Sequence, residues 1–152
     1  MRLGITVGAV AAIAAVWVAA GQSKSVVVIR LRSVSTLTVI TDKSPKGVGK
    51  GDVWLEKDAL ANVVRQFGKP AKARVGTDSA KLTFRSSTVV LVTGTAILPN
   101  GTIHIRGTVS VVTTTSTLAV VGGTGAYAHA RGVMMETGND ADTYNTYRLS
   151  LP

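Results

Sequence analysis

Asp52 and Glu56 are four residues apart in a stretch of strand pattern, so both carboxylates fall on the same side of the strand, a spacing suited to paired acid–base work. The same spacing fits two surface charges, or a buried acid meeting Arg131 or Tyr127. The two histidines, His104 and His129, are too few for a metal cluster without carboxylates at ligand spacing, and no metal site is expected. His104 shares its parity with Arg106 and Thr108, which places it on a wetter strand face. His129 lies in a glycine-rich corner, where it could titrate beside a ligand. Gly-x-Ser-x-Gly, His-Glu-x-x-His and P-loop motifs are absent, and there is no cysteine. Serine hydrolase, zinc protease, nucleotidase and thiolate chemistry therefore lack their anchors. No metal, no cofactor and no covalent nucleophile are expected.

The elements that must position these groups are strands. Residues 26–31 and 35–41 are β-branched stretches; Pro45 and the glycines up to Gly51 interrupt the pattern, and residues 53–56 resume it. Leu60, Val63, Val64 and Phe67 then fall at helical spacing. With Asp58 to cap the start, Gly68 to end it and Pro70 to block continuation, the pattern predicts a short helix over 58–68. Strand pattern returns at 71–77 and 81–84. Residues 88–98 are almost continuously apolar, as in a strand with little exposed face, and Asn100-Gly101 signals a hairpin. Beyond it Ile103, Ile105, Val109 and Val111 share one parity. Strands over 117–121, 131–137 and 143–151 bring the total to eight or nine, an antiparallel barrel or sandwich, since helical crossovers are missing. Tyr144 and Tyr147 have opposite parity, so at most one faces an interior.

Met1-Arg2 followed by an uncharged run to Ala20 reads as a secretory signal cleaved before Gly21; an uncleaved membrane anchor is the alternative. Residues 21–36 form an N-terminal extension or first strand, and residues 37–152 the β-barrel domain. The formal net charge is +9 and unevenly placed: residues 24–85 hold 13 Lys and Arg against 5 Asp and Glu, whereas three of each follow residue 86. One side of the molecule should carry a positive field suited to anionic polymers or lipid headgroups, or simply to solubility. Nucleic acid is not expected as a partner, because aromatic rings for base stacking are few.

The chain's most distinctive stretch is Gly122-Gly-Thr-Gly-Ala-Tyr127 followed by Ala130-Arg-Gly132. Gly123, Gly125 and Ala128, with Asp142 downstream, also fit a loose dinucleotide fingerprint, but that motif needs a helix after the strand and a second parallel strand, and the residues after Arg131 have strand pattern. Gly122, Gly123, Gly125 and Gly132 are instead expected to build a tight turn at the end of a sheet.

This corner resembles the signature of the allene oxide cyclase barrel and dirigent-like superfamily. Gly51-Asp52 before a strand, Asp58-x-Leu60, the hairpin at Leu98-Pro-Asn-Gly101 and Leu118-Ala-Val-Val121 fall in the order such a chain would have them, over residues 38–151. The resemblance implies an all-β, eight-stranded antiparallel barrel with an apolar lumen open at one end, and self-association into a homo-oligomer. It also implies an isomerase, cyclase or dirigent-like stereocontrol role, with a reactive intermediate held in one conformation. Dirigent relatives use the arginine of Ala-Arg-Gly in their pocket, which Arg131 matches. They also carry an acid near the corner, a place taken here by Thr124 or Gly125, so the radical-steering chemistry does not carry over. The apparent helix over 58–68 is a second departure.

Two functions follow as expectations. The first is a secreted, extracellular barrel that binds a small apolar or aromatic molecule in its lumen, with Asp52, Glu56, Tyr127 and Arg131 as ligand-binding residues. The second is a non-enzymatic extracellular protein whose basic surface holds an anionic polymer or membrane.

Overall fold

The computed structural model describes residues 24–43, 45–139 and 142–152; the segment read as a secretory signal lies outside them. Eight strands follow one another: β1 (Ser25–Thr41), β2 (Val53–Asn62), β3 (Arg74–Phe84), β4 (Val89–Leu98), β5 (Gly101–Ser110), β6 (Thr115–Gly123), β7 (Arg131–Asn139) and β8 (Asp142–Leu151). Each pairs antiparallel with the next, and β8 returns to β1 from Ser25↔Leu151 to Ser33↔Thr143. The result is a closed up-and-down barrel, which leaves no sheet edge to template another chain. Among the described residues the only helical element is a 3-10 turn at Gly125–Tyr127.

Two expectations about elements need correction. The helix expected over 58–68 is absent: residues 58–62 complete β2, paired with β3 from Asp58↔Asp78 to Ala61↔Arg74. A bend and the bridge Gln66↔Lys69 follow. Asn62 organises this turn, its Nδ2 donating to the carbonyls of Gln66 at 2.9 Å, Lys69 at 3.1 Å and Pro70 at 3.2 Å. Leu60 enters the core, but Val63 and Val64 stay exposed. The helical spacing of these four apolar residues is a weak preference that barrel pairing overrides.

The second correction concerns β4, whose near-continuous apolar run suggested burial on both faces. Val90, Val92, Ala96 and Leu98 point inward and are buried, while Ile97 is 55% exposed on the outside. Among the described residues no helical layer covers this barrel, so each strand keeps one wet face. β1 changes its inward parity midway. A bulge at Thr36, whose hydroxyl donates to the carbonyl of Lys57 at 2.7 Å, turns Ser35 and then Thr38 toward the interior.

The core fills one half of the barrel. Ile29, Leu31, Leu60, Leu98, Ile103 and Leu149 pack there with Tyr127, near the chain termini and the connection from β6 to β7. The other half, toward the connections β1–β2, β3–β4 and β5–β6, is left open.

Candidate functional site

Inward-facing side chains shrink from the packed half to the open half. Ser33, Ser35, Thr38, Ala80, Ser116 and Gly138 cannot fill a barrel of eight strands, and a cup of about 600 Å³ remains. Trp54, Leu82, Val92, Ile105, Leu118 and Met134 contribute apolar wall. Trp54 is braced by Phe84, with ring centroids 4.9 Å apart and planes at 53°.

The rest of the wall is acidic. Glu56 and Asp58 from β2, Asp78 from β3 and Glu136 from β7 line the cup, and among the described residues no Lys, Arg or His lines it. Half of the chain's eight acidic residues thus gather in the interior of a protein with net charge +9. Asp58 and Asp78 are direct partners in the β2–β3 register, and Asp58 Oδ2 accepts the Ser33 hydroxyl at 2.6 Å. Burial, then the charges of Asp58, Glu136 and Glu56, raise the Asp78 pKa to about 7. Burial and then Asp58 also raise that of Glu136. The Tyr147 phenol is held neutral by burial and by the two acids Asp78 and Glu136. Beside them Asn145 lines the cup at 3% exposure, and its Oδ1 has no hydrogen-bond partner.

The four residues expected to bind ligand are not brought together. Glu56 faces the cup. Asp52 is buried outside the cup lining, where it ties the β1–β2 connection: Oδ1 accepts Lys43 N–H and Oδ2 accepts Gly49 N–H, both at 2.8 Å. Tyr127 lies in the core of the closed half, its phenol pKa raised by burial. Arg131 is exposed at the start of β7 and donates to the carbonyl of Ala130 at 2.8 Å. Of the two C-terminal tyrosines, Tyr147 lines the cup and Tyr144 is exposed.

The glycine corner forms part of the barrel's closed end. Gly125 has φ +60°, and a Cβ there would strike the carbonyl of Asn100; Gly123 is pressed against the carbonyls of Thr102 and Tyr127. Gly132 likewise has positive φ and sits against Arg148, whereas Gly122 has room for a side chain. Thr124 Oγ1 accepts the Thr102 N–H at 3.1 Å and contacts its hydroxyl at 2.8 Å, clasping the corner to β5. His104 lies on the wetter face of β5, its Nδ1 3.0 Å from Thr95 Oγ1. Among the described residues no three His, Asp or Glu side chains are grouped to hold a metal ion.

Asp58, Asp78, Glu136 and Asn145 were not recognised from the sequence as site residues. The helical reading turned Asp58 into a cap. Asp78 shares its parity with Ala80 and Leu82, and Glu136 with Met134; an acid at an inward parity was the available signal.

No family model and no curated protein matches the chain. Solved structures do. A pyocyanin demethylase superposes with TM-score 0.68 at 24% identity, over 81% of this chain and 99% of that one. A pterocarpan synthase dirigent protein superposes with TM-score 0.62 at 19% identity, over 84% of this chain and 88% of that one. The Diels–Alderase AbmU from Streptomyces koyangensis gives TM-score 0.65 at 16% identity, over 83% of this chain and 63% of that one. The chain therefore has the barrel fold that dirigent proteins and cyclase barrels share, as the glycine corner implied.

Proposed function

We propose that the protein binds a small, flat organic molecule in the cup and promotes a cyclisation or isomerisation of it by positioning and proton transfer. The observation that carries this reading is one cavity that combines an apolar, ring-sized wall with a carboxyl group poised near neutrality. Trp54, Leu82, Ile105 and Met134 supply the surface against which a ring system lies. Asp78, with a pKa of about 7, holds and releases a proton at working pH, which suits a general acid or base. Restricting the ligand's conformations inside the cup supplies the remainder of the rate. The fold neighbours support the reading, since a pyocyanin demethylase, a pterocarpan synthase dirigent protein and a Diels–Alderase all use this barrel. The uncharged N-terminal run belongs, in this proposal, to export from the cytoplasm.

The test is a titration of the purified protein with aromatic ligands, followed by Trp54 fluorescence. The reading requires saturable binding that Ala80→Phe/Ser116→Phe, placed to fill the cup without adding a tryptophan, abolishes while leaving the thermal transition cooperative. Binding that survives the filled cup would place the ligand elsewhere and refute it. Trp17 precedes the expected cleavage point, so in a chain cleaved there Trp54 is the sole tryptophan and the signal is local.

A further inference from the structure

We infer that the ligand of this cup is an organic cation, a flat apolar body carrying a protonated nitrogen whose N–H groups are received by Asn145 Oδ1 and the surrounding carboxylates. The inference rests on the reading of the cup as a small-molecule site and specifies what that molecule must carry.

Four observations point the same way. First, the charged groups of the lining are of one sign: among the described residues Glu56, Asp58, Asp78 and Glu136 face the cavity and no cationic side chain does. An anionic ligand would meet like charge on β2, β3 and β7 at once. Second, Asn145 Oδ1 is a buried acceptor without a donor. Leaving such a group unmet costs about 1–3 kcal/mol, which a ligand's N–H relieves once the amide turns Oδ1 from its closed-off position toward the cup. Third, the segregation runs against the protein's overall charge. Lys43, Lys57, Lys81 and Arg85 are exposed around a negative interior, so this outer surface favours anions and the cup favours cations. Fourth, Trp54 gives the cavity an aromatic wall, and a cation gains from an aromatic face. A single metal ion does not meet this description, because the acids of the described residues are not grouped as metal ligands.

The charge of the wall depends on pH. Asp78 is faced by Glu56 and Asp58 from β2, Glu136 from β7 and the neutral phenol of Tyr147 from β8; among the described residues β1, β4, β5 and β6 bring no charged side chain to the lining. As the pH rises through about 7 Asp78 ionises, and the cup's attraction for a cation grows.

Three probes of similar ring size separate the outcomes: proflavine as the cation, anthracene methanol as the neutral ring and anthracene carboxylate as the anion. Each is titrated into the full-length protein at physiological salt. Proflavine is expected to bind about tenfold or more tighter than the neutral ring, and its affinity to rise severalfold between about pH 6 and 8 while that of the neutral ring stays level. Glu136→Gln and Asn145→Leu should each weaken proflavine severalfold and leave the neutral ring unchanged. Equal or tighter binding of the neutral or anionic probe overturns the cation assignment and leaves the cup reading standing. Failure of all three probes to bind overturns both. The pH comparison uses the unaltered chain, so the assignment stays testable if a variant does not fold.

Discussion

Asp58 and Asp78 stand directly opposite one another on β2 and β3, both facing the cup. Like charges at opposed positions of an antiparallel pair repel, and burial adds to the cost. The Ser33 hydroxyl donates to Asp58 Oδ2 at 2.6 Å. Of the pair, Asp78 is the member pushed up to about 7.

Stability should therefore depend on pH in a specified direction. The folded-state pKa of Asp78 lies above the ordinary aspartate value of about 4, so between about pH 4 and 7 the folded state binds more protons than the unfolded one. Stability falls as the pH rises through that window and levels off above it. Asp78→Asn should remove most of this slope and gain on the order of 1–2 kcal/mol at pH 8, with little change at pH 4. Urea unfolding at the two pH values checks the sign, and a variant less stable at pH 8 than the parent would contradict it.

The Asn62 amide adds to the backbone pairing of the β2–β3 turn. Asn62 is 2% exposed and donates to three carbonyls of residues 66–70. Asn62→Ala removes that donor, while the Gln66, Lys69 and Pro70 carbonyls keep the backbone N–H groups of Lys69, Gln66 and Ala73, so the change should cost about 1–2 kcal/mol. Chemical denaturation measures the loss, and a cost below about 0.5 kcal/mol would show that the turn is held by other contacts.

Gly125 tests the closed end separately from the cup. Alanine there is strained at φ +60° and its Cβ meets the carbonyl of Asn100. The substitution should destabilise by about 2 kcal/mol or more, and whatever folds should bind aromatic ligand as the parent does. Equivalent loss of affinity and stability would instead couple the corner to the cup.

Arg131 separates the resemblance from the geometry. Its guanidinium reaches the Ala130 carbonyl on the outside and does not line the cup. Arg131→Ala should change stability by less than about 0.5 kcal/mol and leave ligand affinity unchanged, whereas Glu136→Gln should alter affinity for a cation. Isothermal titration of both variants decides; a collapse of affinity in Arg131→Ala would restore the pocket role that the resemblance implies.

The sequence by itself determined the strand-rich class, the hairpin at Asn100-Gly101, the inward parity of Ile103, Ile105 and Val109, and, through the glycine corner, the barrel. These are matters of local pattern: alternation follows from the two-residue repeat of a strand, and the corner needs residues without Cβ. The tertiary structure alone decided that Leu60 belongs to a strand and which acids meet. Asp58 and Asp78 lie twenty residues apart and Glu136 comes from the far side of the sheet; closing β8 onto β1 bends these strands around one interior. The same closure set the site apart from the motif. The glycine corner lies at the end that packs solid, so Arg131 and Tyr127 stay out of the cup, and the chemistry gathers at the end where small side chains leave room for it.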